Sequence, residues 1–216
     1  MKMVPDIRYS RVIAKFVSSS TPKVIIECGA NNGIHRSVNL FFEKKGDWKT
    51  INIEPNLECY EELVVNRPHS VNYNFALSSQ RETKTLYIPH SKIRAYRGGN
   101  GTLVEARVGE LQEKYDITQF KEQQIQCVTY LDILKMVGLQ CVGILVLDVE
   151  GHEGEVLEGM IRDCDLSQYP EILAIECKKD SEKTIETLIN ATSLYGKSRR
   201  YKDNLIYKKE VINDNK

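Results

Sequence analysis

Short apolar segments typical of β-strands alternate with segments of helical periodicity along most of the chain. Residues 142–149 are almost continuously apolar, which is typical of a strand buried on both faces. The other predicted strands are residues 24–27, 50–54, 71–77, 125–128, 171–176 and 204–208, with residues 85–88 as a short segment expected to pair nearby.

Between these strands, apolar residues recur at helical spacing. The predicted helices are one with the apolar face Ile34, Val38, Phe41 and Phe42 that ends at Gly46, one from the cap Asn56 to the residue before Pro68, residues 131–137, residues 154–161, and one from the cap Ser181 to Thr192. Residues 1–22 are predicted to form a helical extension. The alternation predicts an α/β fold with a mainly parallel sheet and helices on both faces.

Residues 89–124 interrupt this alternation, because they are rich in Arg, Gly and Gln and show no clear element. A segment of this length is typical of a lid or binding loop, so we interpret residues 1–216 as one domain with an insertion at 89–124. Within the insertion, the loop 91–102 carries Lys92, Arg94, Tyr96 and Arg97, which suit closure over an acidic or glycosylated acceptor; the alternative is a solvated and partly disordered insertion.

Composition and charge exclude several classes of function. The chain has 30 Lys and Arg and 30 Asp and Glu, so it lacks the basic excess typical of nucleic-acid-binding proteins. No apolar run reaches the length of a membrane span, and residues 1–17 lack the apolar core of a signal peptide. The six scattered cysteines have no zinc-ligand spacing, so we expect reduced thiols and a cytoplasmic chain.

The segment from Glu27 to Gly33 forms a glycine-containing turn between a predicted strand and helix, where ligands of parallel sheets bind. Its glycines, Gly29 and Gly33, are four residues apart, whereas a dinucleotide fingerprint has glycines two and then three apart. The acidic Glu27 suits an ammonium group better than a pyrophosphate. These features favour an S-adenosylmethionine (SAM) turn, with an ordinary glycine-containing turn as the alternative.

Two further strand ends are candidates for binding a nucleoside. Glu54 ends the strand after the glycine turn, where a carboxylate can accept hydrogen bonds from ribose hydroxyls. Residues 74–77, which include Asn74, Ala76 and Leu77, end the next strand, where backbone amides can meet the edge of an adenine. With the glycine turn, these positions predict a cofactor that carries a nucleoside.

Residues 145–153 bring carboxylates and an imidazole to the end of the most apolar strand. His152 is a candidate base for a substrate hydroxyl, because its ordinary pKa lies near neutrality. Asp148 and Glu150 can favour a positively charged sulfonium or bind a divalent metal. The alternatives are an ordinary helix-start histidine and, for Glu153, a carboxylate that stabilises the helix N-terminus.

These segments resemble the FkbM family of SAM-dependent methyltransferases. Residues 148–153, followed by Val156, Leu157 and Gly159, are similar to that family's D-x-E-G-x-E-x-x-V-L-x-G signature. Residues 27–33 resemble its D-x-G-A-N-x-G turn, and residues 53–56 resemble its acidic-Pro-Asn strand end. Residues 128–132 resemble its T-L-D element with Tyr130 inserted, and Val146 stands where the family often carries Lys. The similarity extends in order from about Val24 to Tyr207.

The resemblance implies a class I methyltransferase fold with a seven-stranded sheet whose last strand is antiparallel. It implies methyl transfer from SAM, usually to an oxygen of a sugar, polyketide or other small molecule, and it allows Mg²⁺ as a second cofactor. The implied cofactor-binding residues are Glu27, Gly29, Ala30, Asn31, Asn32, Gly33, Glu54, Pro55, Asn74, Ala76, Leu77 and Asp148; the implied catalytic residues are His152, Asp148 and Glu150.

Three other functions stay open. An RNA 2′-O-methyltransferase on the same fold could recruit Lys44 or Lys45 with Asp148, Lys178 and Glu176, although the neutral net charge makes a nucleic-acid partner unfavourable. A non-catalytic SAM-binding scaffold is the second, and an NAD-dependent oxidoreductase is the third. The sequence does not identify the methyl acceptor or the oligomeric state.

Overall fold

A computed structural model describes residues 5–90, 101–115 and 119–210 of the chain. The helices in these ranges are α1 (Ile7–Ala14), α2 (Asn39–Glu43), α3 (Leu57–Asn66), α4 (Ala106–Tyr115), α5 (Tyr130–Val137), α6 (Glu153–Asp163) and α7 (Glu182–Thr192). The strands are β1 (Val24–Cys28), β2 (Lys49–Ile53), β3 (Val71–Tyr73), β4 (Ala76–Leu77), β5 (Glu82–His90), β6 (Gln119–Val128), β7 (Ile144–Leu147), β8 (Ile172–Glu176), β9 (Arg199–Tyr201) and β10 (Asn204–Lys208).

Seven strands form the main sheet in the order β3-β2-β1-β7-β8-β10-β9. Strands β3, β2, β1, β7 and β8 pair in parallel, and β10 runs antiparallel to both of its neighbours. Because β10 is the last strand of the chain, the predicted seven-stranded α/β sheet with an antiparallel final strand is confirmed.

The two faces of the sheet bury separate apolar layers, because successive side chains of a strand point to opposite faces. On one face, Ile25, Val146, Ala174 and Ile206 pack with residues of α1 and α2. On the other face, side chains one position along each strand pack with residues of α5, α6 and α7. Side chains continue to alternate between the two faces at the polar ends of the strands. Polar residues there therefore also lie on the face that α1 covers, and this arrangement contributes to the site.

The structure corrects the predicted helix after the glycine turn. We expected helical periodicity from Ile34, but residues 31–38 are irregular and α2 begins only at Asn39. Arg36 has a φ of 56°, outside the right-handed helical region. The start of α2 is instead held by a residue of β1. The Glu27 carboxylate accepts hydrogen bonds from the backbone N–H groups of Val38 and Asn39 at 2.6 and 3.1 Å.

The structure also divides the predicted strand 71–77 between two sheets. Residues Val71–Tyr73 form β3 at the edge of the main sheet, whereas β4 pairs with β6 in a three-stranded sheet of order β4-β6-β5. The predicted segment 85–88 is the inner part of β5, and the predicted segment 125–128 is the last four residues of β6, which pairs antiparallel with β5. The insertion 89–124 therefore contains regular structure, namely α4 and most of β6; residues 91–100 of its predicted loop lie outside the described residues.

Of the two predicted N-terminal caps, the one of α3 is confirmed and the one of α7 is wrong. The Asn56 side chain accepts a hydrogen bond from the N–H of Glu58 at 3.1 Å and so caps α3, as predicted. Ser181 precedes α7, but its side chain donates to the carbonyl of Lys178 and does not cap the helix.

Arg67 is a buried cation that joins the glycine turn to the helices behind it. Its side chain is 1% exposed and forms an ion pair with Glu43 of α2. It also donates to the carbonyl of Gly33 at 3.0 Å and to the Ser37 hydroxyl at 3.3 Å. The packing is tight, because a Cβ at Gly33 would lie 2.6 Å from Arg67 Cγ. One guanidinium therefore stabilises the turn, α2 and the end of α3 together.

The six cysteines are free thiols, as expected from the sequence. Cys28, Cys59, Cys127 and Cys177 are buried, whereas Cys141 and Cys164 are partly exposed. Burial is the main factor that raises the pKa of every one of these thiols, to about 11 for Cys127 and Cys164.

Candidate functional site

A cavity of about 690 Å³ opens where the main sheet presents the carboxyl ends of β1, β2, β7 and β8. This volume lies in the range of small-molecule sites, and this edge is where parallel α/β sheets bind ligands. Its walls come from both ends of the chain and from the insertion, and include Tyr9, Glu27, Gly29, Asn31, Glu54, Pro55, Ala76, Leu77, Leu103, Arg107, Asp148, Glu150, Glu176, Lys178 and Asn204.

Gly29 is where the glycine turn passes against the end of β7. Its φ is +82°, a conformation that favours glycine, and its N–H donates to the carbonyl of Ile53 at 3.0 Å. A Cβ at this position would lie 1.9 Å from the backbone oxygen of Asp148. The missing side chain keeps the turn and the end of β7 in contact at the floor of the cavity.

Glu54 lies at the end of β2 in the cavity wall. Its carboxylate accepts hydrogen bonds from the N–H groups of Asn31, at 2.7 Å, and Asn56, at 2.9 Å. Burial raises the pKa of Glu54 to about 7, although these two bonds oppose the shift. A carboxylate has about four acceptor positions, so Glu54 can still accept hydrogen bonds from hydroxyls of a ligand in the cavity.

Glu27 is a buried carboxylate that is bonded largely by its own chain. Besides the two N–H donors at the start of α2, it accepts a hydrogen bond from the Ser37 hydroxyl at 2.8 Å. Burial raises the pKa of Glu27, and the three donors and the positive charge of Arg67 partly offset that increase. Glu27 therefore holds the turn in shape, while part of its surface lines the cavity.

Three carboxylates converge at the end of β7 and β8. Oxygens of Asp148, Glu150 and Glu176 lie within 4.8 Å of one another. Burial, followed by the negative charge of its neighbours, raises the pKa of each of them, to about 7 for Glu150. Arg107 and Lys178 lie 3.2 and 3.4 Å from Glu150 and neutralise part of this charge. This acidic cluster can therefore hold or accept a proton near neutral pH.

His152 lies behind the cavity and not in its wall. Its side chain is 2% exposed, its Nε2 lies 3.1 Å from the Ser78 hydroxyl, and its Nδ1 lies 2.8 Å from the Glu155 carboxylate. Both ring nitrogens thus face residues of the protein. His152 packs between Ser78 and α6, away from the cavity, and its role as a base that faces the substrate stays a prediction.

A comparison with protein families identifies the family of the chain. A family model described as "Methyltransferase FkbM domain" matches residues 27–201. The chain belongs to the FkbM methyltransferase family. The family implies SAM as the methyl donor and leaves the acceptor open. No curated protein matches this FkbM domain at a significant level.

Two solved methyltransferase structures are similar in fold to this FkbM domain. A crystal structure of the methyltransferase FkbM from Methylobacillus flagellatus KT aligns with a TM-score of 0.54 and 14% identity, covering 90% of this chain and 45% of that one. The METTL16 methyltransferase domain aligns with a TM-score of 0.51 and 12% identity, covering 94% of this chain and 65% of that one. This FkbM domain thus spans less than half of the Methylobacillus protein, and at these identities the likeness shows the fold alone.

The described part of this FkbM domain contains no helix that is both long and apolar enough to cross a membrane.

Not every predicted site residue of the FkbM domain reaches the cavity. Glu27, Gly29, Asn31, Glu54, Pro55, Ala76, Leu77, Asp148 and Glu150 line it. Ala30 and Asn32 are buried inside the turn, where the Asn32 side chain accepts from the N–H groups of Ile34 and His35. Asn74 is exposed, and its amide donates to the carbonyls of Glu54 and Pro55. Together with Gly33, which packs on Arg67, these residues shape the turn and the strand ends from outside the cavity.

The sequence analysis assigned no site role in the FkbM domain to Tyr9 or Arg107, and it considered Glu176 and Lys178 only for an RNA site. Glu176 could have been found, because it ends a predicted strand in phase with Ala174, whose side chain is buried on the same face. Tyr9 and Arg107 carry no comparable signal, since each reaches the cavity only through packing of a distant segment.

The lysines that an RNA-directed site would recruit lie elsewhere in the FkbM domain. Lys44 and Lys45 line a small surface hollow beside α2, and the Lys45 ammonium lies 5.0 Å from the Phe41 ring centroid. Neither residue lines the cavity that contains Asp148 and Lys178. The structure therefore does not bring together the Lys/Asp/Lys/Glu set of that alternative.

Replacing His152 with alanine should destabilise the protein but leave turnover nearly unchanged. The change removes a buried ring and its contacts with Ser78 and Glu155, which costs about 1–3 kcal/mol. Thermal unfolding and kcat measured side by side test this, with His69→Ala at an exposed position as the control. A large fall in kcat without a change in Tm would restore His152 as the base.

Proposed function

We propose that this FkbM domain transfers a methyl group from SAM to a hydroxyl oxygen of a small molecule or sugar. The observation that carries the proposal is the acidic cluster of Asp148, Glu150 and Glu176, which lies in the cavity wall beside the glycine turn. A hydroxyl acceptor must lose a proton during transfer, and a carboxylate with a raised pKa is suited to take it.

The residues of the cavity fit SAM on its β1 and β2 side. The Gly29 turn has no Cβ to fill the floor, and Glu54 has acceptor positions left for the two ribose hydroxyls. Asn31 would meet the methionine part, and Ala76 and Leu77 would border the adenine. Asp148 would lie near the sulfonium, where its negative charge favours a cation.

The acceptor would bind over β7, β8 and β10, between the acidic cluster and the insertion. When bound, SAM would supply the methyl group, and a neutral thioether would be left as its sulfur–methyl bond breaks. The acceptor oxygen would form the new C–O bond and its proton would pass to Asp148, so the protein would need no covalent intermediate. Most of the acceleration would come from holding the acceptor oxygen in line with the methyl group.

The position of the insertion supports the proposal that the acceptor is small, because the insertion forms part of the cavity wall and so limits the space for the acceptor. Leu103 and Arg107 line the cavity, and the Thr102 hydroxyl donates to the carbonyl of Glu150 at 2.9 Å. Arg107 also pairs with Glu150, so the insertion is joined directly to the acidic cluster. We propose that it acts as the lid expected from the sequence and excludes water during transfer.

Mg²⁺ enters no step of this proposal. The acidic cluster offers oxygen ligands, but Glu150 already pairs with Arg107 and Lys178.

Six free thiols support a reducing location, and we propose the cytoplasm.

Replacing Glu54 with alanine should weaken SAM binding by roughly 10–100-fold, because hydrogen bonds to a charged group contribute about 1.5–3 kcal/mol. Calorimetric titration of SAM into the wild type and the variant measures the change, with NAD⁺ as a second ligand. Glu61→Ala, on the exposed side of α3, is the matched control and should bind SAM like the wild type. Equal affinities for Glu54→Ala and Glu61→Ala would remove the ribose role.

The acceptor is tested with SAM that carries an isotopic label in its methyl group. The protein is incubated with neutral sugars, phenols and hydroxy acids, and with matched amines, and labelled products are identified by mass spectrometry. Labelled methyl ethers support the proposal, and transfer only to nitrogen contradicts it. SAM binding without transfer to any compound, including RNA, would favour the non-catalytic scaffold.

A further inference from the structure

Tyr9 lies in α1, ahead of the residues that match the FkbM family model. The Tyr9 side chain is buried, with 5% of its surface exposed, and it forms part of the cavity wall. Its hydroxyl has no hydrogen-bond partner among the described residues. A buried hydroxyl without a partner is costly, so its position in a ligand cavity calls for a functional explanation.

The ring of Tyr9 is held firmly from several sides. It stacks on Tyr201 with ring centroids 5.5 Å apart and planes 6° apart. The Asp6 carboxylate accepts from the N–H of Tyr9 at 2.9 Å, and the Ser10 hydroxyl donates to the carbonyl of Val38 at 3.2 Å. Helix α1 is therefore fixed against the start of α2, and the direction of the phenol is set by packing.

The alternation of the strands explains what the phenol faces. Val146 and Ala174 pack in the same apolar layer as Tyr9, and two residues further along their strands come Asp148 and Glu176. Asn204 pairs with Glu176 in the register of β10 and β8, so it belongs to the same row. The Tyr9 hydroxyl thus lies at the border between an apolar layer and a row of polar side chains, of which Asp148 and Glu176 are carboxylates. Burial, and then the negative charge of Asp148, raises the pKa of Tyr9 well above its ordinary value, so the phenol keeps its proton.

We propose that the Tyr9 hydroxyl binds the acceptor, donating a hydrogen bond to the oxygen that Asp148 deprotonates. The proposal rests on the function proposed above and names the group that selects a hydroxyl acceptor. A neutral hydroxyl can accept from Tyr9 and donate to Asp148 at the same time. An ammonium group has no acceptor for Tyr9, and a carboxylate would be repelled by the acidic cluster. Tyr9 would then be a specificity-determining residue contributed by the N-terminal helix.

The test uses Tyr9→Phe, which keeps the stacked ring and removes only the oxygen. Tyr207→Phe is the matched control, because Tyr207 is also buried but packs against Tyr195 on the other face of the sheet. We expect Tyr9→Phe to lower kcat/KM at least tenfold for hydroxyl acceptors, with the Kd for SAM and the Tm unchanged, while Tyr207→Phe leaves kcat/KM unchanged. Unchanged kcat/KM in Tyr9→Phe, or an equal loss in both variants, would overturn the proposal.

A second measurement separates this proposal from the function on which it rests. The protein is labelled with fluorotyrosine at its 11 tyrosines, and the Tyr9 fluorine signal is assigned as the one missing from Tyr9→Phe. Methyl glucoside is then titrated into the protein saturated with the demethylated cofactor product. A selective shift of the Tyr9 signal supports the proposal even if no compound in the acceptor panel is methylated. No shift at saturating methyl glucoside, together with no effect of Tyr9→Phe on any methylation, would overturn it.

Discussion

Replacing Asp148 with asparagine should lower kcat by roughly 10²–10⁴-fold, the usual contribution of a positioned general base. The variant keeps the size of the side chain and loses its ability to accept the acceptor's proton. Affinity for SAM should fall by at most about tenfold, because one charge near a hydrated cavity contributes on the order of 1 kcal/mol. Single-turnover rates and calorimetric SAM titrations measure the two quantities separately.

The pH dependence of the wild type provides an independent check on Asp148. Burial, followed by the charges of Glu153 and Glu27, raises the pKa of Asp148 to above the ordinary range of a carboxyl group. Because only the deprotonated carboxylate can accept a proton, kcat/KM should fall as the pH drops through this raised pKa, and the fall should begin closer to neutrality than for an ordinary Asp. Asp47→Asn, at an exposed position, is the control and should retain both the rate and the profile. Wild-type kcat in Asp148→Asn would exclude Asp148 as the base.

Replacing Arg67 with methionine should cost about 3–5 kcal/mol of unfolding free energy, the range seen when one partner of a buried ion pair is removed. The change leaves Glu43 without its buried cation and the Gly33 carbonyl without its guanidinium donor, and it removes one of the two donors to the Ser37 hydroxyl. For a domain of this size, Tm should fall by roughly 10 °C. Chemical denaturation with urea measures the free energy directly.

The exposed Arg199→Met on β9 is the control for this substitution and should change stability by less than about 0.5 kcal/mol. Arg67→Lys should lie between the two, because lysine keeps the charge but lacks the planar fork of donors that reaches Glu43, Gly33, Ser37 and Ser70. A loss below 1 kcal/mol in Arg67→Met, on the scale of surface changes, would mean that the buried network contributes little.

The main sheet could be predicted because its signals are local. The apolar segment before Asp148 indicates a buried strand, and the turn from Glu27 to Gly33 indicates where the strand before it ends. Each signal lies within about eight residues. Parallel sheets then bring their carboxyl ends to one edge, so the sequence also predicted that Glu54 and Asp148 face a common region. The structure has both residues in one cavity wall.

Other features could not be predicted because they depend on distant packing. The strands β5 and β6 carry few apolar residues, and β6 was assigned to the structureless insertion except for its last four residues. The change of sheet between β3 and β4 has no signal in residues 71–77, whose pattern predicts one continuous strand. His152 has the right residue type at a strand end, but its ring turns toward Ser78 and Glu155 once α6 forms.

The reactivity of the six buried or half-buried thiols should report local and global unfolding of the protein. The thiolate is the form that reacts with alkylating reagents, and the raised pKa values keep it scarce while the fold is intact. Labelling of Cys59, on α3, should therefore follow unfolding around Arg67, whereas Cys28 lies in the cavity wall and should be protected further by any bound molecule. Identifying the alkylated cysteines by mass spectrometry over time would separate local opening at the cavity from global unfolding without any engineered label.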